Sequence, residues 1–222
     1  NVDSSVQAIV DYLENDWTDG ENFLELPVQV TKPEGSAEDL AYVKDLLGSF
    51  TTSFSTSSAD RSKNVNSGAK HVNGTVLYPG ETFSMYETVA PFTAENGYAM
   101  AGSYLNGEVV DSMGGGICQV STTLYNAVLR AELEVVERSP HSMTVHYVEL
   151  SEDAAIAGTY KDFKFKNSTE YPIYIEGYTT SDKKITFNIY GKETRDSNRS
   201  ISFESVLVNE VKPNTILRDD AG

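Results

Sequence analysis

Cysteine is almost absent from the chain, which contains Cys118 and no other. A single cysteine excludes a disulfide within the chain and a zinc site built from four cysteines. No apolar run is long enough to cross a membrane, and no stretch resembles a signal peptide. Because the chain starts at Asn1, we expect a processed product or an excised fragment, with any signal peptide or membrane anchor lying upstream.

Basic residues are also scarce, with 17 Lys and Arg against 33 Asp and Glu and a net charge of −16. A surface with this charge repels nucleic-acid phosphates and anionic lipid headgroups. We therefore expect no nucleic-acid partner and no direct membrane insertion by this segment.

Cys118 lies between a glycine run, Gly114 to Gly116, and a predicted helix over Gln119–Glu132. A helix N-terminus stabilises a thiolate through its unpaired N–H groups and partial positive charge, and glycines let a substrate approach closely. This pattern predicts a reactive thiolate whose oxyanion hole is formed by N–H groups of residues 116–119. The alternative is a small buried hydrophobic residue at a helix start. The residues expected to bind substrate are Gly115, Gly116, Ile117, Gln119, Ser121 and Tyr147.

The chain has three histidines that could serve as a general base. His71 lies in a predicted helix, where a surface or capping role is expected. His141 precedes a strand predicted over Met143–Leu150 and His146 lies within it, and their odd separation places them on opposite faces. His141 falls on the more apolar face, which can meet a packed helix, so we predict that His141 is the base.

The residue that would orient His141 is less defined by the sequence. Asp162, at the start of a predicted strand, is preferred, whereas Asp153 in the preceding loop and a backbone carbonyl remain alternatives. A zinc site formed by Cys118, His141 and His146 is disfavoured by the opposite faces of the two histidines and by the lack of a fourth ligand. We expect neither a metal nor another cofactor.

Hydrophobic periodicity predicts an α+β fold, in which an antiparallel sheet packs against the helix that carries the nucleophile. A small N-terminal unit precedes it, with a helix over Val2–Trp17 and a strand over Phe23–Thr31. The other predicted elements are a short helix over Asp39–Leu47, a helix over Lys63–Asn73, and strands at Glu108–Asp111, Val135–Glu137, Met143–Leu150, Asp162–Lys166, Pro172–Tyr178, Lys184–Tyr190 and Ile201–Val211.

The segment GGGICQVSTT, residues 114–123, and its continuation through Ser142 resemble the VanW domain family. The similarity extends upstream to LYPGETFSMYETVAPFTAENGY (77–98) and downstream to DFKFKNSTEYPIYI (162–175), and covers about residues 46–190. The resemblance implies that Cys118 is the family's glycine-flanked cysteine and that His141 is the histidine of its Pro-His-Ser motif. His146 stands where the family often has a small polar residue.

The resemblance implies an extracytoplasmic protein of the bacterial cell envelope that acts on peptidoglycan stem peptides. It implies an L,D-transpeptidase that forms 3–3 cross-links through a thioester on Cys118. The alternatives are a cysteine peptidase acting on the same stems and a non-catalytic peptidoglycan-binding module. The expected domains are the tail of a peptidoglycan-binding module (1–45), the VanW-like catalytic domain (46–192), and a linker with the start of a wall-associated module (193–222).

Overall fold

The computed structural model describes residues 2–20, 23–24, 37–105 and 108–210, and the chain divides into two compact units, Asn1–Ser36 and Ala37–Gly222. In the first unit, helix α1 spans Val2–Asn15, within the predicted helix. Its apolar residues at helical spacing, Val6, Ile9, Val10 and Leu13, are exposed. The strand predicted over Phe23–Thr31 falls mostly outside the described residues, and its first two residues have no regular structure.

The second unit carries the remaining helices and all the strands of the described residues. The helices are α2 (Ala37–Leu40), α3 (Ala59–Val72), α4 (Met85–Val89) and α5 (Ile117–Ala131). The strands are β1 (Asp45–Ser53), β2 (Thr75–Leu77), β3 (Thr82–Ser84), β4 (Met100–Leu105), β5 (Glu108–Met113), β6 (Glu134–Glu137), β7 (Lys164–Lys166), β8 (Ile173–Thr179) and β9 (Lys184–Gly191). None of the described helices is both long enough and apolar enough to cross a membrane.

The main sheet has the strand order β1-β9-β8-β2, and each neighbouring pair is antiparallel. Ile185, Phe187 and Ile189 alternate along β9 and are fully buried, as expected for a strand with one face in the core. Helix α5 packs against β1 and β9, and α3 packs against β8. This arrangement confirms the predicted α+β fold with an antiparallel sheet against the helix that carries Cys118.

Two smaller sheets complete the second unit. Strands β3, β7 and β6 form an antiparallel sheet in the order β3-β7-β6, and β4 pairs with β5 as a hairpin. The strands predicted at Val135–Glu137, Asp162–Lys166, Pro172–Tyr178 and Lys184–Tyr190 are confirmed by β6 to β9, with shifted ends.

Helix α5 is a central helix that is buried at polar as well as at apolar positions. The apolar residues Val120, Leu124 and Ala127 are fully buried, but so are several polar residues of the same helix. These buried polar residues are Gln119, Ser121, Thr122, Thr123 and Asn126. Burial of polar side chains is favourable only where they are hydrogen-bonded, so α5 must bind its neighbours by specific contacts as well as by apolar packing.

Two predicted strands are wrong. The segment Met143–Leu150 has no strand, and the long connection from Arg138 to Phe163, in which it lies, contains only an isolated bridge between Ala157 and Lys161. Part of this connection hydrogen-bonds to side chains of α5, which replaces pairing with a neighbouring strand. Residues 201–210 also lack a strand and are exposed.

The segment after β9 binds the end of α5. Arg195 donates to the Leu47 carbonyl at 2.8 Å, and both Arg195 and Arg199 pair with Glu132, which follows α5. The assignment of residues 1–45 and 193–222 to further wall-associated modules stays a prediction.

Gly48 of β1 allows α5 to approach the sheet closely. A Cβ at this position would clash with the main chain of α5 at Ala127 and Ala131. We expect Gly48→Ala to push α5 away from β1 and to lower the free energy of unfolding by about 1–3 kcal/mol. Thermal unfolding measures this loss, with Leu46→Ala, an exposed position of the same strand, as the control with a smaller shift. An unchanged melting temperature for Gly48→Ala would contradict the close contact.

Candidate active site

One cleft of about 1240 Å³ gathers residues from four parts of the second unit. Its walls come from the start of α5, the connection from Arg138 to Phe163, the residues that lead into α3, and the β4–β5 hairpin. Cys118, His141, His146 and Tyr147 all line it. The predicted nucleophile, Cys118, and the two candidate bases, His141 and His146, therefore share one cavity.

Cys118 is the second residue of α5, and the glycines before it shape the helix start. Gly116 is the N-cap and has a φ of 106°, a left-handed conformation that favours glycine. Gly115 is buried, and a Cβ there would clash with the Ala101 carbonyl. The Gly115 carbonyl accepts a hydrogen bond from Asn64 Nδ2 at 2.9 Å. The glycine run thus fixes the backbone that enters the helix.

Only part of the predicted oxyanion hole is available in this turn. The N–H of Ile117 donates to the Gly114 carbonyl, and the N–H of Gln119 donates to the Gly116 carbonyl, both at 3.0 Å. The N–H groups of Gly116 and Cys118 have no acceptor among the described residues. These two N–H groups of the helix start can therefore donate to a bound oxyanion.

Cys118, Thr122 and Asn126 are spaced four residues apart and form a polar stripe along one face of α5. This polar stripe binds residues 152–156 of the long connection, which run antiparallel to the helix. The contacts fall on every second residue of the segment. They are Asn126 Nδ2 to the Glu152 carbonyl (2.7 Å), the Ala154 N–H to Thr122 Oγ1 (3.0 Å), and Cys118 Sγ to the Ile156 carbonyl (3.4 Å).

Asp153 lies between two of these contacts, and its carboxylate binds His141. Asp153 Oδ2 is 2.6 Å from His141 Nδ1 and also accepts the main-chain N–H of His141 at 2.6 Å. Asp153 Oδ1 accepts from Arg138 Nη2 at 2.9 Å. A carboxylate at Nδ1 favours the tautomer with a proton on that nitrogen, so Nε2 is the basic nitrogen of His141.

The environment of Asp153 favours its ionised form. Burial acts to raise the pKa of the Asp153 carboxyl, but hydrogen bonds from His141 and the charges of His141 and Arg138 outweigh it and hold the pKa below its usual value. Asp153 therefore provides a fixed negative charge beside the imidazole, which would stabilise an imidazolium formed there.

Asp162 does not make the contact with His141 that the sequence analysis preferred. Its carboxylate accepts from Ser84 Oγ at 2.6 Å and from the Tyr86 N–H at 2.9 Å, at the start of α4. It does not line the cleft. The preference for Asp162 as the partner of His141 is therefore wrong, and Asp153, the alternative, occupies that place.

The strand-parity argument for His141 also fails, because residues 141–150 have no strand. His141 and His146 both line the cleft, but their burial differs: the side chain of His141 is 7% exposed, whereas His146 is exposed. In the described part of the chain, no group of three or more His, Cys, Asp and Glu side chains is arranged to hold a metal ion.

Burial raises the pKa of the Cys118 thiol, and the positive charges of Arg61 and Lys161 act against this shift. A hydrogen bond with the Ile156 backbone also acts to lower this pKa, and Sγ lies 3.4 Å from the Ile156 carbonyl oxygen, where the S–H form can donate. Burial therefore favours the neutral thiol in this resting structure, and the reactive thiolate stays a prediction.

Arg61 is a cleft residue that the sequence analysis missed as part of the site. Its guanidinium donates to Ser57 Oγ at 2.5 Å and to Gln119 Oε1 at 2.9 Å. Gln119 is itself fixed, since its Nε2 donates to Thr52 Oγ1 and to the Ser53 carbonyl. Sequence periodicity carried no signal for this contact, because Arg61 and Gln119 lie on different helices.

The predicted substrate-binding residues fall into two groups. Gly116, Ile117, Gln119 and Tyr147 line the cleft. Gly115 and Ser121 do not: Gly115 packs against Ala101, and Ser121 is fully buried, with no hydrogen-bond partner for its Oγ among the described residues. Burial raises the pKa of the Tyr147 phenol, and the nearby Cys118 adds to this shift.

The family described as "VanW like protein" matches residues 60–190. A stretch of 157 residues is 39% identical to "Uncharacterized protein YoaR" of Bacillus subtilis (strain 168), covering 70% of this chain and 52% of that protein. A stretch of 134 residues is 31% identical to "Vancomycin B-type resistance protein VanW" of Enterococcus faecalis (strain ATCC 700802 / V583), covering 57% of this chain and 48% of that protein. The chain thus spans about half the length of these curated relatives. No solved structure is significantly similar to it.

The raised pKa of Cys118 predicts slow alkylation at neutral pH. Because the chain has one cysteine, the mass gained with iodoacetamide reports on Cys118 alone. We expect the rate in the folded protein to keep rising above pH 8.5, roughly the pKa of an ordinary thiol. In the same protein unfolded in denaturant, the alkylation rate should level off once the pH exceeds the ordinary thiol pKa. Fast, pH-independent alkylation from pH 6 upward would instead indicate a thiolate–imidazolium pair in the resting site.

Proposed function

The chain belongs to the VanW family, and we propose that its cleft catalyses L,D-transpeptidation of peptidoglycan stem peptides with Cys118 as the nucleophile. The observation that supports this most strongly is that Cys118 and the Asp153-bound His141 line one cleft. A nucleophile, a base and a group that orients the base are the parts that acyl transfer requires.

In the acylation step, His141 Nε2 takes the proton of the Cys118 thiol as Sγ attacks the carbonyl carbon of the third stem residue. A thioester bond forms, and the amide bond to the terminal D-alanine breaks. His141 gives its proton to the departing amine. The Cys118 N–H at the start of α5 stabilises the transient oxyanion, and one such donor contributes about 3 kcal/mol to catalysis.

In the second step, the side-chain amine of a neighbouring stem attacks the thioester carbonyl. His141 accepts a proton from this amine, the bond between carbon and Sγ breaks, and the proton returns to the sulfur. The product is a 3–3 cross-link, and the enzyme regains its thiol. The volume of the cleft, about 1240 Å³, exceeds the ~300–1000 Å³ of ordinary ligand pockets and supports binding of two stems at once.

This general-base route suits a neutral resting thiol. The Cys118 thiol is deprotonated only after a substrate displaces its contact with the Ile156 carbonyl. His141 then accepts the thiol proton. Asp153 stabilises the resulting imidazolium. We also propose that the protein acts in the cell envelope, where peptidoglycan is the substrate. The name of one relative, a vancomycin resistance protein, supports that location.

The proposal is tested by incubating the protein with a disaccharide tetrapeptide and weighing both the protein and the products. We expect a thioester adduct on Cys118 and dimers with 3–3 links. Cys118→Ala should abolish both, and His141→Gln should slow acylation by about 10² or more, the usual contribution of a general base. His146→Ala is the matched variant within the same cleft and should retain most of the activity.

The products also separate the alternatives. Shortened monomers without dimers would indicate a cysteine peptidase, because water rather than an amine would then take the acyl group. Binding of peptidoglycan with no adduct, unchanged in Cys118→Ala, would indicate a non-catalytic module. Loss of activity in His146→Ala but not in His141→Gln would show that His146 is the base and would contradict the role proposed for His141.

A further inference from the structure

The charge of the cleft is opposite to the charge of the chain. The chain carries a net charge of −16, yet the described residues that line the cleft include Arg61 and Lys161 and neither Asp nor Glu. A cavity lined by one sign of charge concentrates ligands of the opposite sign. The cleft is therefore suited to an anionic ligand on a protein that otherwise repels anions.

Arg61 is the more strongly positioned of the two cations. Its two terminal nitrogens donate hydrogen bonds to Ser57 Oγ and Gln119 Oε1, and both of these residues are buried. Lys161 donates to the Pro140 carbonyl at 3.2 Å through an exposed contact. A planar guanidinium also matches the geometry of a carboxylate better than an ammonium does.

Arg61 lies beside the start of α5. Its Cγ is 2.8 Å from the place that a Cβ on Gly116 would occupy, so only glycine leaves room for it there. Its positive charge also acts on the Cys118 thiol and on the Tyr147 phenol. A ligand group bound to Arg61 therefore lies close to the atom that would react.

We propose that Arg61 binds the C-terminal carboxylate of the donor stem, and this rests on the proposed transpeptidase function. In a tetrapeptide donor, that carboxylate belongs to the departing D-alanine, one residue beyond the carbonyl that Cys118 attacks. Arg61 is then a specificity-determining residue that selects stems ending at the fourth residue. A stem whose fourth residue is amide-linked lacks the carboxylate at this position.

Binding to Cys118→Ala, which cannot form the thioester, separates recognition from chemistry. The two ligands are a tetrapeptide stem ending in D-alanine and the same stem ending in D-alaninamide, titrated by calorimetry. We expect the acid to bind at least tenfold more tightly, a difference of about 1.4 kcal/mol. Adding Arg61→Gln should lower the affinity for the acid to that for the amide and leave the affinity for the amide nearly unchanged.

Lys161→Gln in the same background is the matched control, because it removes the other cation of the cleft. It should preserve the ratio of acid to amide affinity. Equal binding of the two peptides with Arg61 present, binding of neither, or loss of the ratio in Lys161→Gln alone would each overturn the proposal. The first comparison needs no Arg61 variant, so it holds even if Arg61→Gln fails to fold.

Failure of the carboxylate-binding role of Arg61 can be distinguished from failure of the proposed transpeptidase function. Preference for the acid without any adduct on Cys118 in the native protein would refute transpeptidation and leave Arg61 as a carboxylate site. Cross-linking activity with equal binding of acid and amide would refute the role of Arg61 alone.

Discussion

The hydrogen bonds between the polar stripe of α5 and residues 152–156 are the constraint on which the candidate site depends. The connection from Arg138 to Phe163 belongs to no sheet, so the ladder of a neighbouring strand does not position it. Thr122 and Asn126 take that role by binding the backbone at Ala154 and Glu152. This places the Asp153 carboxylate against His141, and it brings Ile156 to Cys118.

The same constraint explains why a central helix contains buried polar residues. A buried hydroxyl or amide lowers the stability of the fold unless it is hydrogen-bonded. Breaking such a hydrogen bond leaves both the donor and the acceptor unsatisfied. The polar stripe is therefore favourable only in one register of the 152–156 segment. Apolar packing positions α5 against β1 and β9. The hydrogen bonds of the polar stripe determine which residues of the 152–156 segment face the cleft.

The electrostatics of the site follow from this geometry. A hydrogen bond with the Ile156 backbone and the cations Arg61 and Lys161 act to ionise Cys118, but burial of the thiol outweighs them. Cys118 is half-buried and lines the cleft, so a neutral thiol there needs a base in order to react. Reactivity then depends on the imidazole, whose orientation depends in turn on Asp153.

The sequence predicted those parts of the site that local patterns determine. Glycines before an apolar period of 3.6 located the start of α5 to within two residues, since the predicted helix began at Gln119 and α5 begins at Ile117 and includes Cys118. Alternation located strands such as β8 and β9. Asp153 could not be selected over Asp162, because its position comes from tertiary hydrogen bonds in a segment without periodicity. The spacing of Cys118, Thr122 and Asn126 was a readable signal that an apolar-face analysis overlooked.

The most direct measurement of the central claim is the Nδ1–H proton resonance of His141 in ¹⁵N-labelled protein, which has only three histidines to assign. A hydrogen bond to a buried carboxylate should shift this resonance to low field and protect it from exchange. The structure predicts that the resonance is present in the native protein and in Asp162→Asn, and lost in folded Asp153→Asn. Its persistence in Asp153→Asn, or its loss in folded Asp162→Asn, would contradict the account.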